Sequence, residues 1–103
     1  MKKPLLVTVA TAILAITSSS AIAATGEVLF KQHCAVCHPD GGNVINPKRT
    51  LHKKDLDQQG IKNREAFVKY MRAPGPGMTA FDAKTIADKD AQAIAEYVLK
   101  TFK

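Results

Sequence analysis

Downstream of residue 24, apolar side chains recur with a helical period and nowhere alternate over the length of a strand. Thr25 is a predicted N-cap for a helix over "GEVLFKQHCAVC" (26–37). Glu27 falls in its first turn, where the helix dipole favours an acidic side chain. The glycine pair at 41–42 is expected to end this region. The first predicted element of the domain is therefore a helix.

Three further helices follow. The stretch "TLHKKDLDQQG" (50–60) predicts a short helix with Gly60 as its C′ stop. Asn63 can cap "REAFVKYMR" (64–72), which carries one apolar stripe, formed by Phe67, Tyr70 and Met71.

The last predicted helix follows a Pro- and Gly-rich interruption. "APGPG" at 73–77 should stop the preceding helix abruptly. Asp88 can cap "KDAQAIAEYVLKTF" (89–102). Its apolar stripe consists of Ala91, Ile94, Ala95, Val98 and Phe102, extended by Tyr97. The pattern as a whole predicts a small all-α domain with long loops.

Residues 1–23 have the organisation of a secretory signal peptide. A positive start precedes an uncharged apolar run at 5–17, and "AIA" at 21–23 is a small-x-small site that a signal peptidase accepts. The run is shorter than the about 20 apolar residues needed to cross a bilayer. We therefore expect cleavage after Ala23 and export to the periplasm or an equivalent extracytoplasmic space. The alternative is a retained N-terminal anchor.

Cleavage would leave one domain of 80 residues (24–103), near the size at which an apolar core alone gives little net stability. Such chains often need a disulfide, a metal or another staple. A disulfide between the only two cysteines, Cys34 and Cys37, would close a loop too short to remove much entropy from the unfolded chain. Another group is therefore expected to help fill the core.

Positive charge is concentrated in the middle of this domain. The 80 residues carry 13 basic and 9 acidic side chains, and 48–72 alone carries eight basic residues against Asp55, Asp57 and Glu65. This excess predicts either a solvated lysine-rich surface or a docking face for an acidic redox partner protein. Nucleic acid is disfavoured, because no aromatic residues alternate with the basic ones. We expect a monomer without stable membrane insertion.

Cys34, Cys37 and His38 spell C-x-x-C-H, the attachment pattern of c-type haem. On a helix the two cysteines would lie on one face, so both sulfurs could form thioether bonds to neighbouring vinyl groups of one porphyrin edge. His38 would lie on the same face and could bind the iron. Its other ring nitrogen is expected to be held by a hydrogen bond, with the Pro47 carbonyl as a candidate acceptor.

The same residues allow other, less favoured interpretations. A redox dithiol usually follows a strand in a βαβ layout, which the pattern does not predict. A zinc site could recruit His33, His38 and His52, but zinc ligands generally come in spaced pairs. A three-residue pattern also arises by chance. In an exported chain without other cysteines, covalent haem is the favoured interpretation.

The function of a haem site depends on the sixth ligand of the iron. Met78 is the favoured candidate, because the rigid "PGPG" at 74–77 directly before it can present a thioether to a ring. Met71 belongs to an apolar stripe and is expected to fill the core. His33 would point away from the ring on a helix, and His52 lies in a charged stretch expected to face water. An iron without a sixth protein ligand is the remaining alternative.

Four segments make the chain resemble class I cytochromes c, and among them the small monohaem cytochromes that substitute for plastocyanin. In order, these segments are "GEVLFKQHCAVCH", "NVINPKRTLHKKDL", "PGPGMTAF" and "AIAEYV". The resemblance implies a class I cytochrome c fold, with four to five short helices around one covalently bound haem c. It also implies terminal helices that cross beside the haem, with Gly26 and Phe30 packed against Tyr97. This chain is basic in its middle, and members of that subgroup vary in charge. The photosynthetic partners of the subgroup are therefore not assigned to this chain.

The resemblance implies an electron carrier without catalytic residues. Cys34 and Cys37 would hold the haem as covalent thioethers, and His38 and Met78 would be the axial iron ligands. An iron ligated in this way has no free position for a substrate and can exchange one electron with larger redox proteins. Two alternatives stay open: a five-coordinate haem enzyme or gas sensor, and a fixed subunit of an oxidoreductase complex.

Overall fold

The computed structural model describes residues 2–4, 8, 10–13 and 25–103. Within these residues the chain forms four α-helices, one 3-10 turn and no strand, which confirms the predicted all-α class. The helices are α1 (Gly26–His33), α2 (Lys53–Gln58), α3 (Arg64–Arg72) and α4 (Asp88–Thr101), and the 3-10 turn (Pro39–Gly41) lies between α1 and α2. The predicted cleavage point after Ala23 lies outside the described residues. No helix of the described part is long and apolar enough to span a bilayer.

Helix α1 begins as predicted but ends earlier. The Thr25 hydroxyl accepts a hydrogen bond from the Val28 N–H at 3.3 Å, which confirms the N-cap. The helix stops at His33, whereas the sequence predicted it through residue 37. The reason is a slip in the hydrogen bonding, since the N–H groups of both Cys34 and Ala35 donate to the Phe30 carbonyl. The C-x-x-C-H motif therefore lies in the turns that follow α1, not on it.

Helices α1 and α4 pack against each other through small and aromatic residues. A Cβ on Gly26 would overlap the Ala93 carbonyl oxygen, so glycine is what permits this close approach. The Phe30 ring lies 5.5 Å from the Tyr97 ring and 5.5 Å from the Phe102 ring, measured between centroids. The expected contact of Gly26 and Phe30 with Tyr97 is confirmed.

Helix α2 ends in a Schellman motif. The Ile61 N–H donates to the Leu56 carbonyl at 2.9 Å, and the Gly60 N–H donates to the Asp57 carbonyl at 3.1 Å. Gly60 has a φ of 76°, which confirms it as the C′ stop. Leu56 and Ile61 are both buried, so the end of α2 is attached to the core.

Helices α3 and α4 supply most of the remaining core. Asn63 caps α3 as predicted, since its side-chain oxygen accepts from the Ala66 N–H at 2.8 Å. In α4 the predicted stripe is confirmed: the residues without any solvent exposure are Ala91, Ile94, Ala95 and Val98. The prediction that Asp88 caps α4 is wrong. Asp88 is the first residue of the helix, Ala87 holds the cap position, and the Asp88 carboxylate binds Arg72 instead.

The 3-10 turn is anchored beneath the C-terminal end of α4. Gly41 has a φ of 79°, and a Cβ built on it would lie 2.5 Å from Cγ of Phe102. The Gly41 carbonyl also accepts a hydrogen bond from the Leu51 N–H at 2.7 Å. The turn is therefore held by a left-handed backbone and by an aromatic ring lying directly on it.

Gly41→Ala should destabilise the protein more than Gly60→Ala. Both residues have left-handed backbones, which cost an alanine about 1–2 kcal/mol, but nothing lies within 4 Å of a Cβ at Gly60. Displacing the Phe102 ring should add about 1–3 kcal/mol at Gly41 alone. Urea unfolding of the two variants measures the difference. Equal losses of unfolding free energy would show that the Phe102 ring moves aside without cost.

Candidate cofactor site

One cavity of about 540 Å³ lies between the segment after α1, the 43–51 segment, α2, α3 and the loop after α3. This volume falls in the range of about 300–1,000 Å³ that is usual for small-molecule and cofactor sites. Its apolar wall includes Leu51, Leu56, Ile61, Phe67 and Met71. The cavity is therefore large and apolar enough for a flat macrocyclic cofactor.

Both cysteines line this cavity and are not joined by a disulfide, with Cys34 half-buried and Cys37 exposed. The turn that holds them is closed by two hydrogen bonds to the Cys34 carbonyl, from Cys37 N–H at 3.2 Å and His38 N–H at 2.9 Å. This turn keeps both cysteines in the lining of the cavity, although the helix has ended. The spacing of the motif thus acts through a turn rather than through a helical face.

Burial raises the pKa of the Cys34 thiol to about 11. A redox dithiol requires the opposite, because the thiolate is the reactive form and active cysteines have lowered pKa values. The dithiol interpretation is therefore disfavoured by the surroundings of Cys34.

A zinc site is not supported by the arrangement of the side chains. Among the residues that the structure describes, no three His, Cys, Asp or Glu side chains converge as metal ligands. His52 is exposed, lies edge-on to Phe102 with ring centroids 5.9 Å apart, and is not part of the cavity wall. His52 therefore faces water, as predicted.

His38 is the buried polar residue of the site, with 8% of its surface exposed. Its Nδ1 lies 2.7 Å from the Gly42 carbonyl oxygen. Because a carbonyl only accepts hydrogen bonds, Nδ1 must carry the proton, and the neutral ring then has a free lone pair on Nε2. The candidate acceptor from the sequence, Pro47, is wrong. The 3-10 turn folds the chain back so that the carbonyl four residues after His38 reaches it first.

Met78 lines the same cavity from the loop between α3 and α4 and is half-buried. Met71 also borders the cavity, but it is only 2% exposed and belongs to the hydrophobic core, as predicted. His33, expected to point away, is part of the cavity wall instead and packs edge-on against Phe81 at 6.2 Å between ring centroids. The expectation that His33 points away assumed that His33 and Cys34 lie on one helix. In the structure α1 ends at His33, and Cys34 lies in the turn that follows.

Sequence reasoning did not identify the polar residues that shape the cavity mouth. The Asn43 side chain accepts from the N–H groups of Ile45 and Asn46, and its amide donates to the Arg49 carbonyl at 2.8 Å. Asn43, Asn46 and Arg49 all line the cavity. Asparagine is frequent in turns because its side chain forms hydrogen bonds with nearby backbone groups. The two asparagines of "NVINPKR" could therefore have indicated this turn in the sequence.

These features fit a covalently attached haem. Two thiols lie in one wall, a buried imidazole in the same segment offers a free nitrogen, and a thioether approaches from a separate loop. The walls between them are apolar, as a porphyrin face requires. The donor set therefore matches a c-type haem better than a bare metal ion.

Comparisons with known proteins agree with this geometry. A family model described as "Cytochrome C oxidase, cbb3-type, subunit III" matches residues 21–98. The cytochrome c6 of Parathermosynechococcus lividus is 37% identical over 76 residues, which cover 74% of this chain and 86% of that one. The chain spans 66% of one cytochrome c6 and 90% of another.

Solved structures give the same fold. OmcF, the outer membrane cytochrome F of Geobacter sulfurreducens, is 44% identical with a TM-score of 0.74, covering 76% of this chain and 99% of that chain. Cytochrome c6 of the diatom Phaeodactylum tricornutum is 35% identical with a TM-score of 0.67, covering 73% and 87%. The four helices of the described chain are thus those of a class I cytochrome c.

Proteins of this family carry one covalently bound haem c and transfer electrons; they are not enzymes. The expected fold, cofactor and resemblance are confirmed by these matches. The chain belongs to the class I cytochromes c, as a monohaem electron-transfer protein similar to cytochrome c6.

Proposed function

We propose that this cytochrome is an exported shuttle that carries one electron between larger redox proteins, with its iron ligated by His38 and Met78. The observation that carries the proposal is the placement of both side chains in the wall of one cavity, together with Cys34 and Cys37. The two cysteines would form the thioether bonds, since their turn holds both sulfurs in that wall.

The two axial side chains are held by different means. His38 is buried and its Nδ1 proton is bound to the Gly42 carbonyl, which leaves Nε2 oriented for ligation. Met78 follows two prolines in a loop without helix, where its flexible thioether can reach the ring. When bound, haem supplies reversible one-electron exchange at its iron. With both axial positions taken by the protein, no site remains for a substrate.

The apolar wall should favour the reduced state and exclude water. Leu56, Ile61, Phe67 and Met71 line the cavity, and none of them is more than 7% exposed. An apolar surround and thioether ligation both raise the reduction potential of a c-type haem. These side chains also keep the site rigid, so that little rearrangement accompanies electron transfer.

Electrons would leave through the edge near the attachment cysteines. Cys37 is exposed, and its neighbour Val36 is 83% exposed although it lines the cavity. Ile45, which also lines the cavity, is 62% exposed. This rim gives a partner protein close access to the ring edge. The carrier is expected to act as a monomer.

The basic residues of 48–72 support an acidic partner. Three of the eight are paired with carboxylates: Lys53 with Asp57, Arg64 with Glu96, and Arg72 with Asp88. The other five, Lys48, Arg49, Lys54, Lys62 and Lys69, form no salt bridge within the described residues. Arg49 lies at the cavity mouth, beside exposed Lys48. We propose that these charges steer an acidic docking face toward the ring edge.

Export through the leader at 1–23 places this carrier in the periplasm or an equivalent extracytoplasmic space. Support comes from the sequence of that segment and from the attachment motif. The matching family model describes an oxidase subunit, so a fixed place in an oxidoreductase complex is the second candidate. A chain that copurifies with large membrane-bound subunits from its source cell would favour that second candidate.

Met78→Ala should lower the reduction potential by ~100 mV or more, within the ~0.8 V over which axial ligands set haem potentials. It should also let the reduced protein bind carbon monoxide rapidly, because a coordination position becomes free. The potential is measured by redox titration and carbon monoxide binding by absorbance.

Met71→Leu is the matched control, since this methionine also borders the cavity but belongs to the core. It should leave the potential and the resistance to carbon monoxide close to those of the native protein. An unchanged potential in Met78→Ala would remove Met78 as the ligand. Rapid, tight carbon monoxide binding by the native protein would favour the five-coordinate sensor.

Lys48→Glu should slow oxidation of the reduced protein by anionic ferricyanide by about twofold or more at ~0.01 M ionic strength, where charges act over about 30 Å. Lys100→Glu, an equal charge change in the last turn of α4, should have a smaller effect. Stopped-flow kinetics measure both rates, and added salt should abolish the difference. Equal slowing by the two substitutions would contradict a basic docking face at the cavity mouth.

A further inference from the structure

One arginine spans the ends of the loop that carries Met78. Arg72 is the last residue of α3, and its guanidinium reaches across the base of the loop at 73–87. Nη1 donates to the Phe81 carbonyl at 3.0 Å and to the Ile86 carbonyl at 2.8 Å, and Nη2 donates to the Asp88 carboxylate at 2.6 Å. A single side chain therefore ties the end of α3 to the middle of the loop, to its end and to the start of α4.

Phe81 closes the part of the loop that contains Met78. The Phe81 N–H donates to the Met71 carbonyl at 2.9 Å, while its carbonyl accepts from Arg72. The N–H and the carbonyl of Phe81 thus form hydrogen bonds with Met71 and Arg72, the last two residues of α3. Residues 73–80 form a closed lobe, with Met78 inside it and Arg72 at its neck.

Few other hydrogen bonds hold this lobe. The Gly75 N–H donates to the Tyr70 hydroxyl at 3.2 Å, and the Met78 N–H reaches the Gly75 carbonyl at 3.5 Å, the outer limit for such a bond. The first residue of the lobe is tied to α3 by a bond from the Ala73 N–H to the Lys69 carbonyl at 3.2 Å, and no helix continues beyond it. The placement of Met78 therefore depends strongly on the neck.

The geometry requires an arginine. A guanidinium carries five N–H donors in a rigid plane, so it can serve two carbonyls and a carboxylate together, whereas an ammonium is a point charge on a flexible stem. The Arg72 side chain is only 22% exposed, so the bonds to Phe81 and Ile86 are shielded from water. The Asp88 side chain is 77% exposed, and an ion pair so open to solvent contributes little. The two carbonyls are therefore the important acceptors.

We infer that Arg72 is a positioning residue for the axial ligand: by closing the neck of the lobe at 73–80 it sets the fraction of molecules in which Met78 occupies the iron. This inference rests on the proposed ligation by Met78. An added ligand competes with Met78 for the iron, so its apparent affinity reports the fraction of molecules in which the thioether has left.

The test is imidazole titration of the oxidised holoprotein, followed by absorbance. Arg72→Gln should lower the apparent dissociation constant for imidazole at least tenfold, and Arg72→Lys should fall between Arg72→Gln and the native protein. The sulfur-to-iron charge-transfer absorption should weaken in the same order. Arg72→Lys also keeps the test informative if Arg72→Gln does not fold.

Three controls separate positioning from general effects. Arg64→Gln removes an arginine from the other end of α3, where its partners within the described part of the chain are Glu65 and Glu96. Asp88→Asn removes the negative charge of the exposed ion-pair partner but leaves both carbonyl bonds in place. Ile94→Val lowers stability through a fully buried residue outside the cavity wall. All three should bind imidazole within about twofold of the native protein.

The outcomes are distinct. Native-like imidazole binding by both Arg72 variants, while Met78→Ala binds it far more tightly, would overturn the inference and leave the ligation by Met78 intact. An Ile94→Val variant that matches Arg72→Lys in both stability and imidazole affinity would also overturn it, since Arg72 would then act only through global stability. If Met78→Ala itself binds imidazole no better than the native protein, the proposed ligation fails and the inference fails with it.

Discussion

The hydrogen bond between His38 Nδ1 and the Gly42 carbonyl is the constraint on which the cofactor site depends. It assigns the proton to one ring nitrogen, leaves the lone pair of the other nitrogen free and holds a buried imidazole that would otherwise lack a partner. The bond exists because the 3-10 turn after the motif returns the chain within four residues.

The 3-10 turn is itself supported by the interface between α1 and α4. Phe102, at the end of α4, lies on Gly41 and also packs against the Phe30 ring of α1. The contact between the terminal helices therefore extends through one aromatic ring to the backbone that orients His38. The packing of α1 against α4 and the orientation of the His38 ring therefore depend on the same interface.

The part of the cavity lining that contains Met78 is held by different interactions. Met78 comes from a loop of fifteen residues between α3 and α4 that the structure describes without helix or strand. Its shape comes from a guanidinium, a tyrosine hydroxyl and backbone bonds to the end of α3. His38 is thus held by packing and by one short hydrogen bond, whereas the loop that carries Met78 is held by a few hydrogen bonds to α3. The two proposed ligands, His38 and Met78, accordingly depend on separate parts of the fold.

Features that arise within a few residues could be predicted from the sequence. The caps at Thr25 and Asn63, the stop at Gly60 and the buried stripe of α4 follow from local hydrogen bonds and helical periodicity, and the structure has each of them. The attachment motif identified the cofactor, because two thiols and an imidazole at this spacing suit few other groups.

Other features depend on contacts between distant residues, which no local pattern contains. Asp88 had the properties of a cap, but in the structure it is the first residue of α4, and its carboxylate binds Arg72, sixteen positions earlier. The motif looked helical, yet the end of α1 at His33 left it in a turn. The acceptor for His38 and the closure of the Met78 lobe likewise depend on how segments meet in space. Residue type thus determines which bonds are available, and the packing of distant segments selects which of them form.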